Sequence, residues 1–293
     1  MNKNIFYFLL FLAMIGWGAS WVNVKILSEY INEFEMVFIR FSFTAITMIP
    51  IILVLKKSFY IDKKTFMLVL LTSVTFIAYM KYFFLGTKLG TASLGGALVT
   101  SLAPIMTFIM LAILRLKEIK RRDIFALVLG ALGVLTMLNV WLLGPSEIFV
   151  TQNLYFILAS ILWPIVTILS ASSTQISPIV FTFYLYVVTV ALVSIVFIDF
   201  ATIKTDGFDT RFWINTFSIV VFASTFANTV YFLGIEKLGT SEVSSFIFLV
   251  PFAAIGLSVI FLDEKIDIFV LIGAFMTMYA VKIINNIQFL KKR

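Results

Sequence analysis

Neither cysteine nor histidine occurs anywhere in this chain of 293 residues. Their absence excludes disulfide bonds, thiol nucleophiles, histidine metal ligands and histidine proton relays together. Charged residues are scarce as well, at 13% of the chain, where an ordinary soluble domain has about 25%. We therefore expect no metal site and no cofactor. The scarcity of charged residues also indicates that the chain is not an ordinary soluble domain.

Apolar residues fill the space that charges leave. They make up 61% of the chain, and the mean hydropathy is +1.08. The formal net charge of +7 could suggest a nucleic-acid partner, but the cations lie in short segments between apolar runs and not along one solvated face. Their placement is typical of the topology signals of a membrane protein, so we expect a lipid bilayer and no nucleic acid as partner.

Ten apolar runs follow one another, each close to the roughly 20 residues that cross a bilayer as an α-helix. The short links between them carry turn residues, which leaves no room for a separate soluble domain. The sequence thus predicts an all-α integral membrane protein. The predicted spans are Ile5–Ile26, Phe34–Leu55, Thr65–Thr87, Ala92–Leu114, Ile124–Leu143, Asn153–Ser173, Ile179–Phe200, Phe212–Ile235, Ser241–Leu262 and Ile268–Ile287.

A duplicated pattern divides these spans into two copies. Phe-Leu-Gly and Lys-Leu-Gly-Thr occur at 84–86 and 88–91, and again at 232–234 and 237–240. After each pair comes an apolar run with an internal proline and then a turn with a glutamate: Pro104 and Glu118, then Pro251 and Glu264. We assign residues 1–145 and 146–293 to two repeats of five helices. Because five is odd, the second repeat enters the membrane inverted, as in many transporters.

Basic residues predict the orientation of the bundle. They concentrate in segments 56–64 and 115–122 and at 291–293, whereas the segments on the opposite side hold few. Cytoplasmic loops carry the excess of lysine and arginine, so we expect the N- and C-termini to lie in the cytoplasm. The loops after the fourth and ninth spans differ in the same way, because the first is rich in cations and the second is acidic, which also favours inversion.

Several motifs together resemble the EamA family of the drug/metabolite transporter superfamily. They are Gly-Trp-Gly-Ala-Ser-Trp at 16–21, Arg40-Phe41 in the second span, the Leu-Gly-Thr motif with Pro104, the Glu118 turn, and their echoes in the second copy. The resemblance implies two five-helix repeats around a central cavity, alternating access, and export of amino acids or other small metabolites from a bacterium across its inner membrane.

Two cations lie well inside the predicted spans at a similar depth, whereas Lys25 and Lys282 lie near span ends, where we expect their side chains to extend to the headgroups. Arg40 lies about two turns from the outer end of the second span, and Lys81 lies at a similar distance from the outer end of the third. Since a charge inside a bilayer is costly, each needs a reason. Either they face the cavity and bind an anionic group of the substrate, or their long side chains extend to the outer headgroups. The resemblance favours the cavity for Arg40.

Polar and aromatic residues recur at helical spacing along the third, sixth and eighth spans. Such stripes are typical of walls around a water-accessible cavity, although hydroxyl groups in membrane helices often bond only their own backbone. Trp17 and Trp163 lie at corresponding places in the two copies, and interface anchoring suits them poorly because they are mid-span. With Arg40 and Lys81, the predicted substrate-binding residues are Trp17, Tyr79, Tyr82, Trp163, Asn228 and Tyr231.

Pro104 and Pro251 occupy matched positions in their copies. A proline inside a helix frees a backbone carbonyl and bends the helix. We therefore interpret the two as hinge points for movement of the repeats, with a static kink as the alternative.

Other function classes remain as alternatives. A pump for cationic drugs is expected to bury a carboxylate, yet no Asp or Glu lies in the middle of any span, which disfavours drug efflux. A membrane-embedded enzyme needs a metal cluster, a nucleophile with its base, or paired carboxylates, and none of these is present in the sequence. A lipid-flipping or membrane assembly role on the same fold stays open. We expect a transporter of a small polar metabolite, an amino acid or an organic anion, and not an enzyme.

Overall fold

The computed structural model describes residues 3–116, 118–142, 148–173, 175–201, 203, 205–238, 243 and 245–285. Within this part of the chain, ten helices carry the architecture, and they confirm the all-helical prediction. In order they are α1 Lys3–Leu27, α2 Glu33–Val54, α3 Lys63–Leu89, α4 Ala92–Ile113, α5 Arg121–Met137, α6 Thr151–Ala171, α7 Pro178–Val196, α8 at 210–238, α9 Val250–Leu262 and α10 Ile268–Asn285.

Length and hydropathy qualify seven of these helices to cross a membrane by themselves, namely α1 to α4, α6, α7 and α8. The apolar helical segments at α9 and α10, Phe246–Leu262 and Ile268–Ile283, are shorter. Large apolar side chains such as Phe8, Ile46 and Leu71 point away from the protein along the spans. This outward apolar surface is what a bilayer solvates, and the protein is a multi-pass integral membrane protein.

Side-chain caps begin several helices at the positions where the sequence places a polar residue. The side chain of Asn32 accepts hydrogen bonds from the backbone N–H groups of Phe34 and Glu35, and the Glu35 carboxylate accepts the N–H of Asn32 in return. Asp62 caps α3 and Thr91 caps α4. These bonds satisfy backbone donors that have no partner within the helix.

Left-handed residues end several helices. Lys56, Arg115, Asn139 and Asp263 all have φ between 50° and 58° and follow the last turns of α2, α4, α5 and α9. The predicted fifth span was therefore too long, because α5 ends at Met137 and Asn139 turns the chain before Leu143, which lies outside the described residues. A residue in this conformation cannot continue a right-handed helix, and hydropathy does not register it.

The sequence predicts one regular α-helix for the eighth span, but the structure divides this span into three segments. An α-helical part, Thr210–Phe217, is followed by a π-helix, Ser218–Phe226, and by a second α-helical part, Ala227–Leu238. The widened register shows in the hydrogen bond from the Ala227 N–H to the carbonyl of Phe222, five residues earlier. π-Helical segments are rare, and they are frequent at functional sites.

One long-range contact shows that the second copy is inverted. Glu264, in the turn after α9, binds the N-terminus of α4, whereas Glu118, its counterpart in the first copy, follows the C-terminus of α4. Equivalent turns therefore lie at opposite ends of the bundle. We call the end that holds Glu264 the outer end, after its predicted orientation.

The two copies exchange helices across the bundle. α6, the first helix of the second copy, packs on α3 and α4 of the first, and α1 packs in the same way on α8 and α9 of the second. The pairs α2–α7, α4–α9 and α5–α10 also join the copies. Contacts within a copy are fewer, so neither repeat is packed as a separate body.

The two matched prolines have different surroundings. Pro104 lies inside the continuous helix α4, as predicted. Pro251 instead lies in the first turn of α9, directly after a short 3₁₀-helix, Ser245–Leu249. At that position the missing N–H would have no intrahelical partner anyway, so this proline starts a helix where a mid-helix bend was expected. The predicted beginning of the ninth span, Ser241, lies outside the described residues.

Glycines allow α5 and α10 to touch backbone to backbone. A Cβ built on Gly133 would lie 2.7 Å from the Thr277 methyl group, 2.9 Å from the Gly273 carbonyl oxygen and 3.0 Å from the Thr277 nitrogen. Two of these three neighbours are backbone atoms, which cannot swing aside. Close approach of this kind is how membrane helices gain packing energy without a hydrophobic driving force.

Replacing Gly133 by alanine should therefore loosen the α5–α10 pair. We expect Gly133→Ala to lower the free energy of unfolding by about 1–3 kcal/mol, the usual cost of overpacking, measured as thermal stability in detergent. Gly256→Ala is the matched control, because a Cβ on Gly256 has no atom within 4 Å. Equal stability of the two variants would contradict this account of the contact.

Candidate functional site

Arg40 lies at the centre of the contacts between the copies. Its Nε donates a hydrogen bond to the Ser224 hydroxyl of α8 at 3.0 Å, and its guanidinium carbon lies 5.1 Å from the centre of the Phe41 ring. The side chain is in electrostatic range of Tyr79 on α3 and Tyr186 on α7. Protein atoms surround it densely, yet it keeps part of its accessible surface, so open space reaches it.

The terminal nitrogens of this guanidinium have no hydrogen-bond partner among the described residues, since Nε alone is bonded. Within the same residues, no carboxylate oxygen lies within 4.0 Å of Arg40; the ion pairs found there are Arg122–Asp123 and Arg211–Glu29. A guanidinium is charged at every physiological pH and offers five N–H donors. Arg40 therefore carries an uncompensated charge and unbonded terminal donors inside a membrane span, about two turns from its outer end.

Asn228 connects three helices beside this cation. Its amide oxygen accepts a hydrogen bond from Trp17 Nε1 of α1 at 3.2 Å, and its amide nitrogen donates to the Tyr186 hydroxyl of α7 at 2.7 Å. Phe41 stacks on Tyr186 with ring centres 4.5 Å apart, which joins the chain back to the residue next to Arg40. Of the predicted residues, the structure thus brings together Trp17, Arg40, Tyr79 and Asn228.

Two tryptophan–tyrosine pairs cross between the copies with almost the same geometry. Trp17 and Tyr231 have ring centres 5.0 Å apart at 49°, and Trp163 and Tyr79 have theirs 4.9 Å apart at 47°. Each pair joins the first helix of one copy to the third helix of the other. Trp163 remains 40% exposed although it lies mid-span. The two pairs extend the aromatic wall that begins at Phe41 and Tyr186.

Lys81 and Tyr82 lie apart from this cluster. Lys81 Nζ is 5.8 Å from the Phe34 ring at the outer start of α2, and Phe34 stacks on Phe197 of α7. Tyr82 contacts Tyr155 of α6, with ring centres 5.6 Å apart. The contacts of Lys81 thus match the reading in which its side chain extends towards the outer end, and its role in binding stays a prediction.

The polar stripes divide into two kinds. On α6 the hydroxyls of Ser160, Thr167 and Ser170 donate hydrogen bonds to carbonyls of their own helix, as hydroxyl groups in membrane helices often do. On α8, by contrast, Ser224 and Asn228 reach side chains of the first copy. Spacing alone does not separate the two kinds, since both lie on one face of a helix.

Tyr186 is the member of the cluster that the sequence did not indicate. It lies in α7, the most hydropathic of the seven long helices. The available signal was a phenol in the middle of a span, because a buried tyrosine hydroxyl usually has a partner. Only the packing of α7 on α2 and α8 shows that this partner is Asn228.

A second set of polar contacts closes the outer end. The Glu264 carboxylate accepts hydrogen bonds from the backbone N–H groups of Ala92 and Ser93 at 2.8 and 3.0 Å, and from the Ser93 hydroxyl at 2.5 Å. Lys25 Nζ donates to the carbonyls of Lys88 and Gly90 at the end of α3. We expected Lys25 to extend to the headgroups, but these bonds hold it on the protein. The negative Glu264 thus lies at the N-terminus of α4 and the positive Lys25 at the C-terminus of α3, and each charge is stabilised there by the helix dipole.

Two further contacts tie the beginning of α8 to the turn after α1. Arg211 forms an ion pair with Glu29 at 2.8 Å, and the Tyr30 hydroxyl donates to the Asp209 carboxylate. The backbone N–H of Phe212 bonds this carboxylate at 2.8 Å and lowers the pKa of Asp209. The carboxylate therefore stays ionised, and keeps both its functions as cap and tether, to a lower pH than an ordinary aspartate.

A surface cavity of about 550 Å³ lies beside this tether, lined by Phe208, Asp209, Thr210, Trp213, Ile214 and Phe217. Its walls are mostly apolar, and Trp213, Ile214 and Phe217 point outward from the bundle. It is separate from the residues around Arg40. A tryptophan near a span end in such a setting is typical of the membrane interface.

Ten helices in two inverted copies, with polar side chains gathered between the copies at mid-span, define the protein as a membrane transporter. The sequence matches the EamA-like transporter family over residues 4–139 and 151–286, and the chain belongs to that family, in two EamA repeats. It is therefore a transporter of the drug/metabolite superfamily and not an enzyme. Among the described residues, no group of three or more acidic side chains could hold a metal ion.

Comparison with solved structures supports the fold alone. One crystal structure, of a protein without a stated activity, superposes with a TM-score of 0.65 at 15% identity and covers 96% of each chain. It is among 24 solved chains that match. Comparison with curated protein sequences gives no match.

Neutralising Glu264 should weaken the outer closure. We expect Glu264→Gln to lower the free energy of unfolding by about 1–3 kcal/mol, because a charge-assisted acceptor of three donors is lost. Thermal unfolding in detergent measures the change. Asp206→Asn, in the exposed segment before α8, is the control for loss of an outer carboxylate. A shift no larger than that of the control would refute the structural role of Glu264.

Proposed function

We propose that the protein exports a small polar metabolite with an anionic group across the inner membrane of a bacterium, by alternating access. The supporting observation is the free, uncompensated guanidinium of Arg40 between the two copies. An arginine inside a span is costly, by at least about 2.5 kcal/mol where it lies at the bilayer centre. A substrate carboxylate or phosphate that enters the site provides the missing counter-charge, so that the empty site favours an anionic ligand.

Both repeats contribute to the proposed pocket. Residues 1–145 supply Trp17, Arg40 and Tyr79, and residues 146–293 supply Trp163, Asn228 and Tyr231. A site built from both copies is the arrangement that alternating access requires, because a shift of helices of one copy against helices of the other exposes it to either side. Lys81 and Tyr82 extend the pocket towards the outer end in this proposal.

Aromatic faces determine what else the substrate can carry. Trp17 pairs with Tyr231, and Trp163 pairs with Tyr79, which lies close to Arg40. Such aromatic faces attract either an apolar group or an ammonium. Amino acids and organic anions both meet the requirement. Cationic drugs do not, because the spans contain no mid-membrane carboxylate to bind them.

The orientation rests on the basic segments 56–64 and 115–122, which we place in the cytoplasm together with both termini. The contacts of Glu264, Lys25 and Arg211 then lie on the external side. The contacts of Glu264 and Arg211 join helix ends of the two copies, and those of Lys25 join α1 to α3 within the first copy. Outward release of the substrate must break some of them. Pro104 and the helix start at Pro251 are the proposed points of flexibility.

One observation favours a second candidate, transport of a lipid. Trp163 is 40% exposed at mid-span, and an opening of the site towards the bilayer there would admit an acyl chain. A headgroup phosphate could then reach Arg40. Reconstitution with fluorescent phospholipids, measured as loss of leaflet asymmetry, distinguishes this candidate from export of a soluble metabolite.

Removing the charge of Arg40 should abolish export. In cells that express the wild type, we expect one anionic or zwitterionic metabolite to accumulate in the medium, as measured by mass spectrometry of medium and cytosol. Arg40→Ala should reduce its export by about tenfold or more, because at least one charge-assisted hydrogen bond is lost. Lys282→Ala is the matched control, because it removes a cation of α10 that the proposed pocket does not include, and it should export at close to the wild-type rate.

Each variant must reach the membrane in equal amount. Export that persists in Arg40→Ala would show that the guanidinium does not bind the substrate, while the transporter itself would stand. A loss in both variants would show that the effect is not specific to the guanidinium of Arg40. Accumulation in the cytosol instead of the medium would reverse the proposed direction.

A further inference from the structure

The π-helix in α8 presents three hydroxyl groups to the first copy. Ser218 accepts a hydrogen bond from the Asn23 amide of α1 at 3.0 Å, Ser224 accepts from Arg40 Nε at 3.0 Å, and Thr225 bonds Thr47 of α2 at 2.6 Å. Gly16 lets α1 approach the segment, because a Cβ there would lie 3.0 Å from the Phe222 carbonyl oxygen. The π segment is thus held by α1 and α2 along its whole length.

The register of the π-helix determines how Ser224 bonds. Its hydroxyl donates to the carbonyl of Ile219, five residues earlier, at 2.9 Å. With its single hydrogen committed to the backbone, the oxygen presents only lone pairs to Arg40, and these match a guanidinium, which only donates. Ser224 is 1% exposed, so water does not compete for this bond.

Bonding at Nε has a specific geometric result. Nε is the inner nitrogen of a planar group, and the Phe41 ring lies 5.1 Å from its central carbon. One bond in the plane and one ring beside the group restrain both its position and its rotation. The two terminal nitrogens are left unbonded and parallel, which is the fork that matches the two oxygens of a carboxylate.

We propose that Ser224, displayed by the π-helix, is a positioning residue that aims the fork of Arg40 and makes the site select a planar carboxylate over a spherical anion of equal charge. The inference rests on the proposed function, because it requires Arg40 to bind the substrate. It goes further in naming the class of anion and the residue that determines the selection. Ser224 itself does not contact the substrate.

The test compares three probes by tryptophan fluorescence of the purified protein, since Trp17 and Trp163 lie in the cluster. Propionate against propionamide, its uncharged analogue, tests the anion site. Propionate against chloride tests the fork. We expect the wild type to prefer propionate in both comparisons, by about tenfold over chloride, the factor expected from one additional good hydrogen bond.

Ser224→Ala should lose most of the preference over chloride while it retains the preference over propionamide. Thr225→Val is the matched control, because it removes a neighbouring hydroxyl of the same π-helix that bonds α2 but not Arg40, and it should behave as wild type. Arg40→Lys keeps the charge without the fork and should reproduce Ser224→Ala. In the Arg40→Lys background, Ser224→Ala should change nothing further, which a purely structural role would not predict.

The outcomes separate the two proposals. Unchanged chloride discrimination in Ser224→Ala, with propionamide still rejected, would overturn the inference and leave the anion site standing. No preference for propionate over propionamide in the wild type would overturn both. If Ser224→Ala does not fold, as thermal unfolding will show, the Arg40→Lys variant decides alone: retained selection of propionate over chloride there overturns the role of the fork.

Discussion

The structure is organised around one electrostatic constraint, a permanent cation held in the middle of a membrane protein without a fixed counter-charge. The polar groups near Arg40 are uncharged: the hydroxyls of Ser224 and Tyr186, the amide of Asn228 and the phenol of Tyr79. They reduce the cost of the charge and leave it uncancelled. A carboxylate in their place would stabilise the empty protein and remove its attraction for an anion.

The inverted duplication provides the means to build this site. Each copy lends its first helix to the other, so that α1 packs on α8 and α9 and α6 packs on α3 and α4. Because every wall of the site is then shared, the copies cannot separate as two rigid halves. Movements that open the site must instead shift single helices, and the π segment of α8 and the broken start of α9 are the irregular places where a shift meets the least resistance. The contacts of Glu264 and Lys25 oppose such a shift at one end.

Some features of the structure can be predicted from the sequence and others cannot, for physical reasons that differ from feature to feature. Hydropathy located the helices because lipid imposes a length of apolar chain on every span. Hydropathy did not predict the early end of α5, because that end depends on the backbone dihedral of Asn139. It did not predict the π-helix in α8 either, because an α-helix and a π-helix can be formed by the same apolar residues. Sequence alone groups Lys81 with Arg40, because the depth of a residue can be counted along a helix. The direction in which its side chain points depends instead on which neighbouring helix packs there. For the same reason Lys25 was misjudged, since its carbonyl partners belong to another helix.

The sequence by itself determined the membrane class, the duplication, the inversion and the residue types available to a site, since each follows from composition, spacing or charge along the chain. Only the tertiary structure decided that Tyr186 joins the site, that Ser224 leaves the fork of Arg40 free, and that Ser160 and Thr167 bond their own helix. The first two of these outcomes depend on contacts between residues 42 and 184 positions apart. Local pattern does not encode such distances, because packing between helices is set by the whole bundle.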